Sequence, residues 1–406
     1  MPDTDFPDPR PLRADLRSAA GGVGACRAGS LRPDVSGQRG GDLRAQPAGP
    51  DGLVPAAGNT DPTAGVVSGG WRRASGGGDS DGDTVRQARS RGDHAGLRFD
   101  IPVGPDGYAW WYVDGVSDDG RHAISIIAFI GSVFSPWYRW SGRKDPENHV
   151  CLNVATYGPG GRFTMTDRGR AALRRDAHSL SIGPSQMRWT GSELIVDIDE
   201  WGAPPLVTKV RGRVTLTPSA VTDIEVALTP DNRHLWRPFA PSGSIEVSLN
   251  GGVRWSGHGY FDANFGSRAL ETDFSTWTWG RFPVSDGAIC LYDAKRRDGS
   301  NLSLGLHVST AGLPTRLTPP PVAQLRRTPF LLARETRADP GYRPHQTMRL
   351  FEAPFYNRSL VRTKLFGEET VGMHEALDLR RFRHPLMKPL LAVRVPRRSG
   401  WSGQKD

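Results

Sequence analysis

Residues 255–266 read Trp-Ser-Gly-His-Gly-Tyr-Phe-Asp-Ala-Asn-Phe-Gly, and residues 274–281 read Phe-Ser-Thr-Trp-Thr-Trp-Gly-Arg. One carboxylate, Asp262, stands there among Tyr, Phe, Trp and His. A carboxyl group in aromatic surroundings is poorly solvated, so its pKa rises and it keeps a proton near neutral pH. Asp262 is therefore a candidate general acid. The alternative is a strand and turn in which the aromatics are core and Asp262 caps the turn.

Outward from this stretch, short apolar runs alternate with turn signals. Period-two alternation joins Leu194, Val196 and Ile198 on one predicted face, and it recurs from Leu302 to Val308. Gly, Pro, Asp and Asn mark turns near residues 117–120, 158–161, 191–192, 250–252, 286–287 and 298–299. Regular strand–turn spacing of this kind predicts an all-β barrel or sandwich.

The first 96 residues have a different composition. They are dominated by Gly, Arg, Asp, Ala, Pro and Ser and show no apolar periodicity. Such a segment buries too little apolar surface to offset its ordering entropy, so we predict a disordered extension. One hypothesis is a mis-assigned start or a shifted reading frame, and the alternative is a flexible tail.

The ordered part of the chain is predicted to hold two β domains. Pro238, Pro241 and Gly243 cluster near residues 238–244, which favours a boundary there. We therefore predict domains over residues 97–240 and 241–398, followed by a tail over residues 399–406. Residues 311–345 are rich in Pro and Arg and are predicted to be a surface loop or linker.

The charge balance limits the partners. The net charge of +9 favours an acidic partner, either nucleic acid or an anionic membrane surface. No nucleic-acid-binding motif is present, so we expect no nucleic acid partner. Basic and large apolar residues interleave over residues 380–391, a composition suited to an anionic membrane, although a solvated edge strand is an equal alternative.

Two further patterns bear on membranes and ligands. The apolar run over residues 123–134 is too short and too β-branched to span a bilayer, so we predict a buried strand. Ten of the 12 tryptophans fall between residues 110 and 279. That density favours an aromatic cavity for a long apolar ligand, and the alternative is a tryptophan-rich core.

Several motifs in order resemble the carotenoid 1,2-hydratase family, also called hydroxyneurosporene synthases. The resemblance runs from about residue 98 to about residue 398 and leaves out the first part of the chain. It rests on His-Gly-Tyr-Phe-Asp-Ala-Asn-Phe-Gly at 258–266 with Leu270-Glu271 and Trp277-Thr278-Trp279, and on matching motifs at residues 107–112, 134–138, 234–238 and 393–398. Several motifs together are far more specific than one.

The resemblance implies a fold and a reaction. The fold is all-β, with two tandem lipocalin-like antiparallel barrels. The reaction adds water to the C1,C2 double bond of acyclic carotenoids such as neurosporene and lycopene, giving tertiary alcohols on the way to spheroidene- or spirilloxanthin-type pigments. It further implies a photosynthetic bacterium, with peripheral attachment on the cytoplasmic side of the inner or photosynthetic membrane, where such substrates dissolve.

The reaction assigns roles to residues in the matching motifs. Asp262 protonates the alkene, Tyr260 binds the acid or the water, and the resulting tertiary cation needs aromatic faces such as Trp236. His234 is the expected acceptor of the water's proton, although alone it would read as a structural histidine. Further residues expected to contact substrate are Trp277, Trp279, His258 and Phe261, with Asn264 a lesser candidate.

Other chemistries lack their motifs. The chain has no His-Glu-x-x-His sequence, no P-loop, no dinucleotide fingerprint and no Gly-x-Ser-x-Gly elbow in its barrel region. We therefore expect a lyase without cofactor or metal. The alternatives are a lipocalin-like carrier of polyenes without turnover and a related enzyme that acts on another isoprenoid.

Overall fold

The structure, a computed structural model, describes residues 85–87, 97–203 and 207–398 of the 406-residue chain. The expected disordered extension, apart from the backbone of residues 85–87, and the tail over residues 399–406 lie outside the described residues. All described residues belong to one compact unit, Gly77–Asp406.

Strands form most of the described chain. The first fourteen are β1 Val85–Gln87, β2 Tyr108–Ser117, β3 Ala123–Ile130, β4 Val150–Tyr157, β5 Arg162–Thr164, β6 Asp167–Arg168, β7 Leu173–Arg175, β8 Ser179–Ile182, β9 Ser185–Trp189, β10 Leu194–Trp201, β11 Lys209–Pro218, β12 Ile224–Ala227, β13 His234–Leu249 and β14 Val253–Gly266. They are followed by β15 Phe274–Val284, β16 Gly287–Arg296, β17 Asn301–Val308, β18 Pro314–Leu317, β19 Val322–Leu325, β20 Arg334–Arg337, β21 His345–Ala353, β22 Tyr356–Leu365, β23 Glu368–Asp378 and β24 Arg397–Arg398. The all-β prediction is confirmed.

Short helices connect some of these strands. In the described residues they are α1 Pro136–Trp140, α2 Leu270–Asp273, α3 Leu379–Arg383 and α4 Met387–Arg394, with 3₁₀ turns at Pro146–Asn148 and Arg170–Ala172. None of these helices has the length and apolar character needed to cross a bilayer.

The described strands form one sheet of fifteen strands, one of seven and one of two. The fifteen-strand sheet runs β24-β6-β4-β3-β2-β14-β13-β11-β10-β9-β8-β7, with β1, β5 and β12 paired beside this path. The seven-strand sheet runs β18-β17-β16-β15-β23-β22-β21, and β19 pairs with β20. The predicted loop over residues 311–345 therefore carries three short strands.

Strand β2 is buried along its whole length. Successive side chains of a strand point to opposite faces. On one face Tyr108, Trp110 and Tyr112 join a core that also takes residues from the seven-strand sheet. On the other face Ala109, Trp111 and Val113 join a second core within the fifteen-strand sheet. The predicted buried strand over residues 123–134 is confirmed as β3, every residue of which is also buried.

The predicted domain boundary at residues 238–244 falls inside the sixteen-residue strand β13. Its pairing with β14 shifts register between Arg237 and Ala240 and again between Ala240 and Gly243. Proline and glycine are common at such bulges, because a bulge tolerates a missing N–H and bends the strand without ending it. The chain changes sheet later, across residues 267–273, between β14 and β15.

The basic tail over residues 380–391 lies mostly in the helices α3 and α4, so the edge-strand alternative is wrong. Asp378 caps α3, because its side chain accepts hydrogen bonds from the backbone N–H groups of Arg380 and Arg381. In α4, Met387 and Leu391 pack against the core shared by the two larger sheets. The exposed apolar residues of this region are Leu386, Leu390 and Val393.

Candidate functional site

Asp262 lies in the middle of β14 and is buried. One of its oxygens, Oδ2, accepts two hydrogen bonds, from Tyr260 Oη at 2.7 Å and from Trp236 Nε1 at 2.8 Å. Tyr260 reaches Asp262 because residues two apart on a strand share a face. Trp236 reaches it from the neighbouring strand β13, which pairs with β14. The structure thus brings together three of the four predicted catalytic residues.

The environment of Asp262 favours its protonated form. Burial raises the pKa of this carboxyl group to about 8, against the opposing effect of the hydrogen bonds from Tyr260 and Trp236. The other oxygen, Oδ1, is buried and has no partner in the described part of the chain. Since Oδ2 already accepts two hydrogen bonds, the proton is best placed on Oδ1. Asp262 therefore presents an acidic O–H from an otherwise unoccupied oxygen.

A cavity of about 40 Å³ adjoins this carboxyl group. Its lining residues come from both larger sheets and are mostly aromatic: Trp110, Tyr112, Asp262, Asn264, Trp277, Trp279, Tyr292 and Glu375. We call this space the acid pocket. Trp277 and Trp279 line the pocket as expected, and Trp110 is an addition. Trp236 is not among the lining residues.

The rings of the acid pocket pack against one another. Tyr260 and Trp279 lie 5.2 Å apart between ring centroids, Tyr112 and Trp279 5.6 Å, and Trp110 and Trp277 6.3 Å. These contacts tie β2 and β14 of one sheet to β15 of the other. The wall facing Asp262 is therefore rigid, apolar and rich in π faces.

His234 does not line the acid pocket. Its Nδ1 lies 2.8 Å from Tyr108 Oη, and its Nε2 lies 2.8 Å from Asp273 Oδ2. The ring is fully buried, and burial lowers the pKa of His234 below its usual value. Both nitrogens are engaged away from Asp262, so the geometry offers no direct path for His234 to take a proton from water in the pocket.

Phe261 and His258 are also placed away from the pocket. Phe261 points to the opposite face of β14 and packs against Phe239, 5.7 Å between centroids, in the core of the fifteen-strand sheet. The alternation that brings Asp262 inward necessarily sends Phe261 to the other side. His258 Nδ1 lies 2.7 Å from Arg281 Nη1, and burial together with the charge of Arg281 lowers the pKa of His258 to about 3. We therefore remove Phe261 and His258 from the residues expected to contact substrate.

Two acidic residues near the site, Glu271 and Asp273, are held by arginines. Glu271 is buried and pairs with Arg139 and Arg143. Asp273 pairs with Arg268, at 3.3 Å, and also holds His234. Arg281 is committed elsewhere, because it forms a fully buried ion pair with Asp114 of β2.

Besides the aromatic residues Trp110, Tyr112 and Tyr292, two charged residues of the site were missed by sequence reasoning. Glu375 of β23 lines the acid pocket, and Arg358 of β22 donates from Nε to Glu375 Oε1 at 2.6 Å. The guanidinium of Arg358 lies 5.3 Å from the ring centroid of Tyr112 and 5.5 Å from that of Tyr356. Both residues lie about a hundred positions after the motif, and only strand pairing with β15 brings Glu375 beside Trp279.

A larger apolar cavity of about 440 Å³ lies on the other side of Arg358. Its lining includes Phe134, Phe163, Phe351, Phe355, Tyr356, Arg358, Met387, Leu390 and Leu391. We call it the apolar cavity. Tyr112 and Glu375 face the acid pocket while Tyr356 and Arg358 face the apolar cavity, so these four side chains form the partition between the two spaces.

The side chains that the structure describes include no cluster of metal ligands. No group of three or more His, Cys, Asp or Glu side chains among them is arranged to hold a metal ion.

The sequence matches the family model "Carotenoid hydratase CrtC" over residues 126–404. An acyclic carotenoid 1,2-hydratase of Cereibacter sphaeroides is 65% identical over 277 residues, which cover 68% of this chain and 99% of that protein. An acyclic carotenoid 1,2-hydratase of Thiocapsa roseopersicina is 42% identical over 379 residues, covering 92% of this chain and 93% of that protein.

The match with the Thiocapsa protein corrects one expectation. It leaves about 8% of the 406 residues outside the alignment, roughly 32 residues, which is fewer than the 96 of the predicted extension. Part of that N-terminal segment therefore aligns with the relative, although we expected the resemblance to begin near residue 98.

Among solved structures, AttH from Nitrosomonas europaea is similar with a TM-score of 0.47 and 16% identity, covering 67% of this chain and 92% of that chain. A likeness at this level establishes nothing about activity.

Proposed function

The chain belongs to the carotenoid hydratase CrtC family, and from that premise we propose that it adds water across the C1,C2 double bond of acyclic carotenoids. Neurosporene, lycopene and their derivatives are the substrate class, and the product is a tertiary 1-hydroxy carotenoid. The observation that carries the proposal is the buried carboxyl group of Asp262, whose pKa burial raises to about 8, and whose Oδ1 has no partner among the described residues beside a ring-walled pocket.

The first step is protonation. An isolated alkene accepts a proton only from a well-positioned acid, and Asp262 Oδ1 is the donor to C2. The electron pair of the double bond forms the new C2–H bond and leaves a tertiary cation at C1. The π faces of Trp110, Trp277 and Trp279 stabilise that cation by about 1–2 kcal/mol per desolvated ring.

Tyr260 and Trp236 act on the acid itself. As the proton leaves, negative charge develops on Asp262, and the two hydrogen bonds to Oδ2 become charge-assisted. They therefore stabilise the transition state more than the protonated ground state, which is the condition for raising kcat. We propose that His234 is a positioning residue, since it joins β2 to the turn before β15 through Tyr108 and Asp273.

The polyene chain is proposed to lie in the apolar cavity. Its volume of about 440 Å³ is in the range of ligand sites but holds only part of a long carotenoid. The end of the chain reaches Asp262 if the partition formed by Tyr112, Glu375, Tyr356 and Arg358 shifts when substrate enters. The remainder of the chain extends outward past Leu390 and Phe330, which line the cavity and are exposed.

The exposed end of the apolar cavity is suited to contact with a membrane. Leu386, Leu390 and Val393 of the α4 region are exposed and apolar, and Arg380, Arg383 and Arg394 are exposed and basic. Apolar residues inserted at the headgroup boundary with cations around them favour an anionic bilayer. We place the protein at the periphery of the inner or photosynthetic membrane, on its cytoplasmic side, where substrate passes from lipid to cavity.

Vesicle sedimentation tests this surface. The variant L386D/L390D/V393D should lose most of its binding to vesicles containing phosphatidylglycerol, because each Asp opposes insertion. The matched control is Leu313→Asp, since Leu313 and Leu386 are both 67% exposed. Equal binding by the triple variant and the wild type would place the membrane contact elsewhere.

The two larger sheets are further proposed to be tandem lipocalin-like halves, joined at residues 267–273. Each is a run of antiparallel strands, most of them paired with sequence neighbours, apart from the parallel pair β24–β6. The acid pocket then lies between the halves, since β14 brings Asp262 and β15 brings Trp277 and Trp279.

Product analysis after incubation with lycopene tests the function. The wild type should yield 1-hydroxylycopene, and Asp262→Asn should yield none while keeping the fold, because an amide has no acidic proton. The control Asp197→Asn removes an exposed carboxylate paired with Arg213 and should keep full activity. If the wild type binds lycopene but forms no alcohol, the protein is a carrier and the hydratase proposal is wrong.

A further inference from the structure

The acid pocket holds a second carboxylate. Among its lining residues in the described chain, the carboxyl groups are those of Asp262 and Glu375. They come from different sheets, β14 and β23, and their surroundings differ. Asp262 meets neutral donors only, whereas Glu375 meets the guanidinium of Arg358.

Glu375 forms an ion pair with Arg358 of the neighbouring strand β22. Arg358 is itself buried, and its Nε donates to Oε1 at 2.6 Å. Tyr112 and Tyr356 cover the guanidinium and keep bulk water from it. Two carboxyl groups that line a single pocket, one bonded to neutral donors and the other paired with a guanidinium, are the arrangement that acid–base catalysis requires.

The pocket also has groups that suit a water molecule. A volume of about 40 Å³ exceeds what one water needs. Asn264 Nδ2, Trp277 Nε1 and Trp279 Nε1 are buried donors without a partner in the described residues, and all three residues line this pocket. A buried donor without an acceptor is destabilising, and a water oxygen bound to it removes that cost. A water oxygen held by such a donor directs its own hydrogens toward an acceptor.

We infer that Glu375 is the general base of the hydration step and that it holds the attacking water together with Asn264. The inference rests on the proposed function. After Asp262 has given its proton to C2, a lone pair of the water oxygen forms the C1–O bond. One O–H bond of that water breaks, and its proton passes to the Glu375 carboxylate. Glu375 then loses this proton and Asp262 regains one, so that one water molecule is consumed per alcohol formed.

Other bases are less well placed. His234 does not line the pocket and has both ring nitrogens engaged. Asp114 is buried in its ion pair with Arg281 and does not line the pocket either. Glu375 is the carboxyl group that shares the pocket with Asp262 and the tryptophan rings in the described residues.

Steady-state kinetics with lycopene on the full chain test this role. Glu375→Gln keeps the shape of the side chain and an acceptor for Arg358 but cannot take a proton. We expect kcat to fall about 100-fold or more with KM changed less than about twofold. The charge of Glu375 contributes to the raised pKa of Asp262, so the loss of activity at high pH should also begin at lower pH. The control is Glu369→Gln, an exposed carboxylate of the same strand.

Glu375→Asp is a second variant that distinguishes a catalytic effect from a folding defect. It keeps the charge beside Arg358 and withdraws it from the pocket by one methylene, so kcat should fall about tenfold with thermal unfolding unchanged. Wild-type kcat in either Glu375 variant would overturn the inference. A wild-type protein that forms no alcohol would instead refute the proposed function, so the two failures are distinguishable.

Discussion

Tyr260→Phe removes one hydrogen bond from Asp262 and little else. The Tyr260 hydroxyl donates to Asp262 Oδ2 at 2.7 Å, and Phe fills the same space in the ring wall beside Trp279. Trp236 still donates to Oδ2, so the carboxyl group keeps one partner. The variant therefore isolates the contribution of this hydrogen bond to the acid.

The magnitude follows from the charge. A hydrogen bond to a charged group contributes about 1.5–3 kcal/mol, and one pKa unit corresponds to about 1.4 kcal/mol. Losing the Tyr260 hydrogen bond destabilises the carboxylate, so the pKa of Asp262 should rise from about 8 by roughly one to two units. Proton transfer is only partly complete in the transition state, so we expect kcat to fall about tenfold, equivalent to about 1.4 kcal/mol.

The assay is kcat for lycopene hydration as a function of pH. In the proposed mechanism Asp262 acts in its protonated form, so wild-type activity should decline as the pH rises through about 8. In Tyr260→Phe the decline should begin at higher pH although the maximum is lower. Tyr108→Phe is the control, because its hydroxyl contacts His234 and should leave the position of the decline unchanged.

A decline at the wild-type pH in Tyr260→Phe, or one at lower pH, would refute the reasoning. The first result would mean that the titrating acid is not Asp262. The second would mean that the hydroxyl stabilises the protonated carboxyl group more than the carboxylate.

Two further predictions concern stability. Between about pH 4 and pH 8 the folded state keeps a proton on Asp262 that the unfolded chain has released, so stability should fall as the pH rises through this window. Asp262→Asn mimics the protonated group and should remove this fall in stability, whose upper limit is on the order of 5 kcal/mol. Urea unfolding of the wild type and the variant at pH 5 and pH 9 measures the difference. The same change in stability with pH in both proteins would contradict the prediction. Asp114→Asn leaves the buried Arg281 unpaired and should cost about 3–5 kcal/mol, whereas Asp197→Asn at an exposed pair should cost less than about 1 kcal/mol. Equal unfolding midpoints for these two variants would show that Arg281 finds another partner.

Strand alternation explains what the sequence allowed us to predict of the site. Tyr260 and Asp262 share a face because they are two residues apart, and Trp236 joins them because β13 and β14 are adjacent in the sheet. The same alternation contradicts the expectation for Phe261, which a strict period-two assignment of residues 258–266 would have placed in the opposite core. That information was present in the sequence.

Strand alternation within the motif could not identify Glu375 as a residue of the site. Glu375 lies in a different sheet, and nothing near it in sequence marks it as part of an aromatic pocket. A bulge and a linker use the same residues, and the proline and glycine cluster at residues 238–244 lies where the pairing of β13 with β14 shifts register. The helices of the basic tail depend on the cap at Asp378 and on packing of Met387 and Leu391, which the interleaved pattern did not reveal.

The double burial of β2 has a consequence for how the molecule melts. Its Trp110 face and its Trp111 face belong to separate cores, yet a single backbone carries both. Neither core can unfold while β2 stays paired in the sheet, and neither can stay folded once β2 is released from it. Heating should therefore produce one calorimetric transition that includes both larger sheets. A substitution that leaves a cavity behind Trp111 should also loosen the wall of the acid pocket.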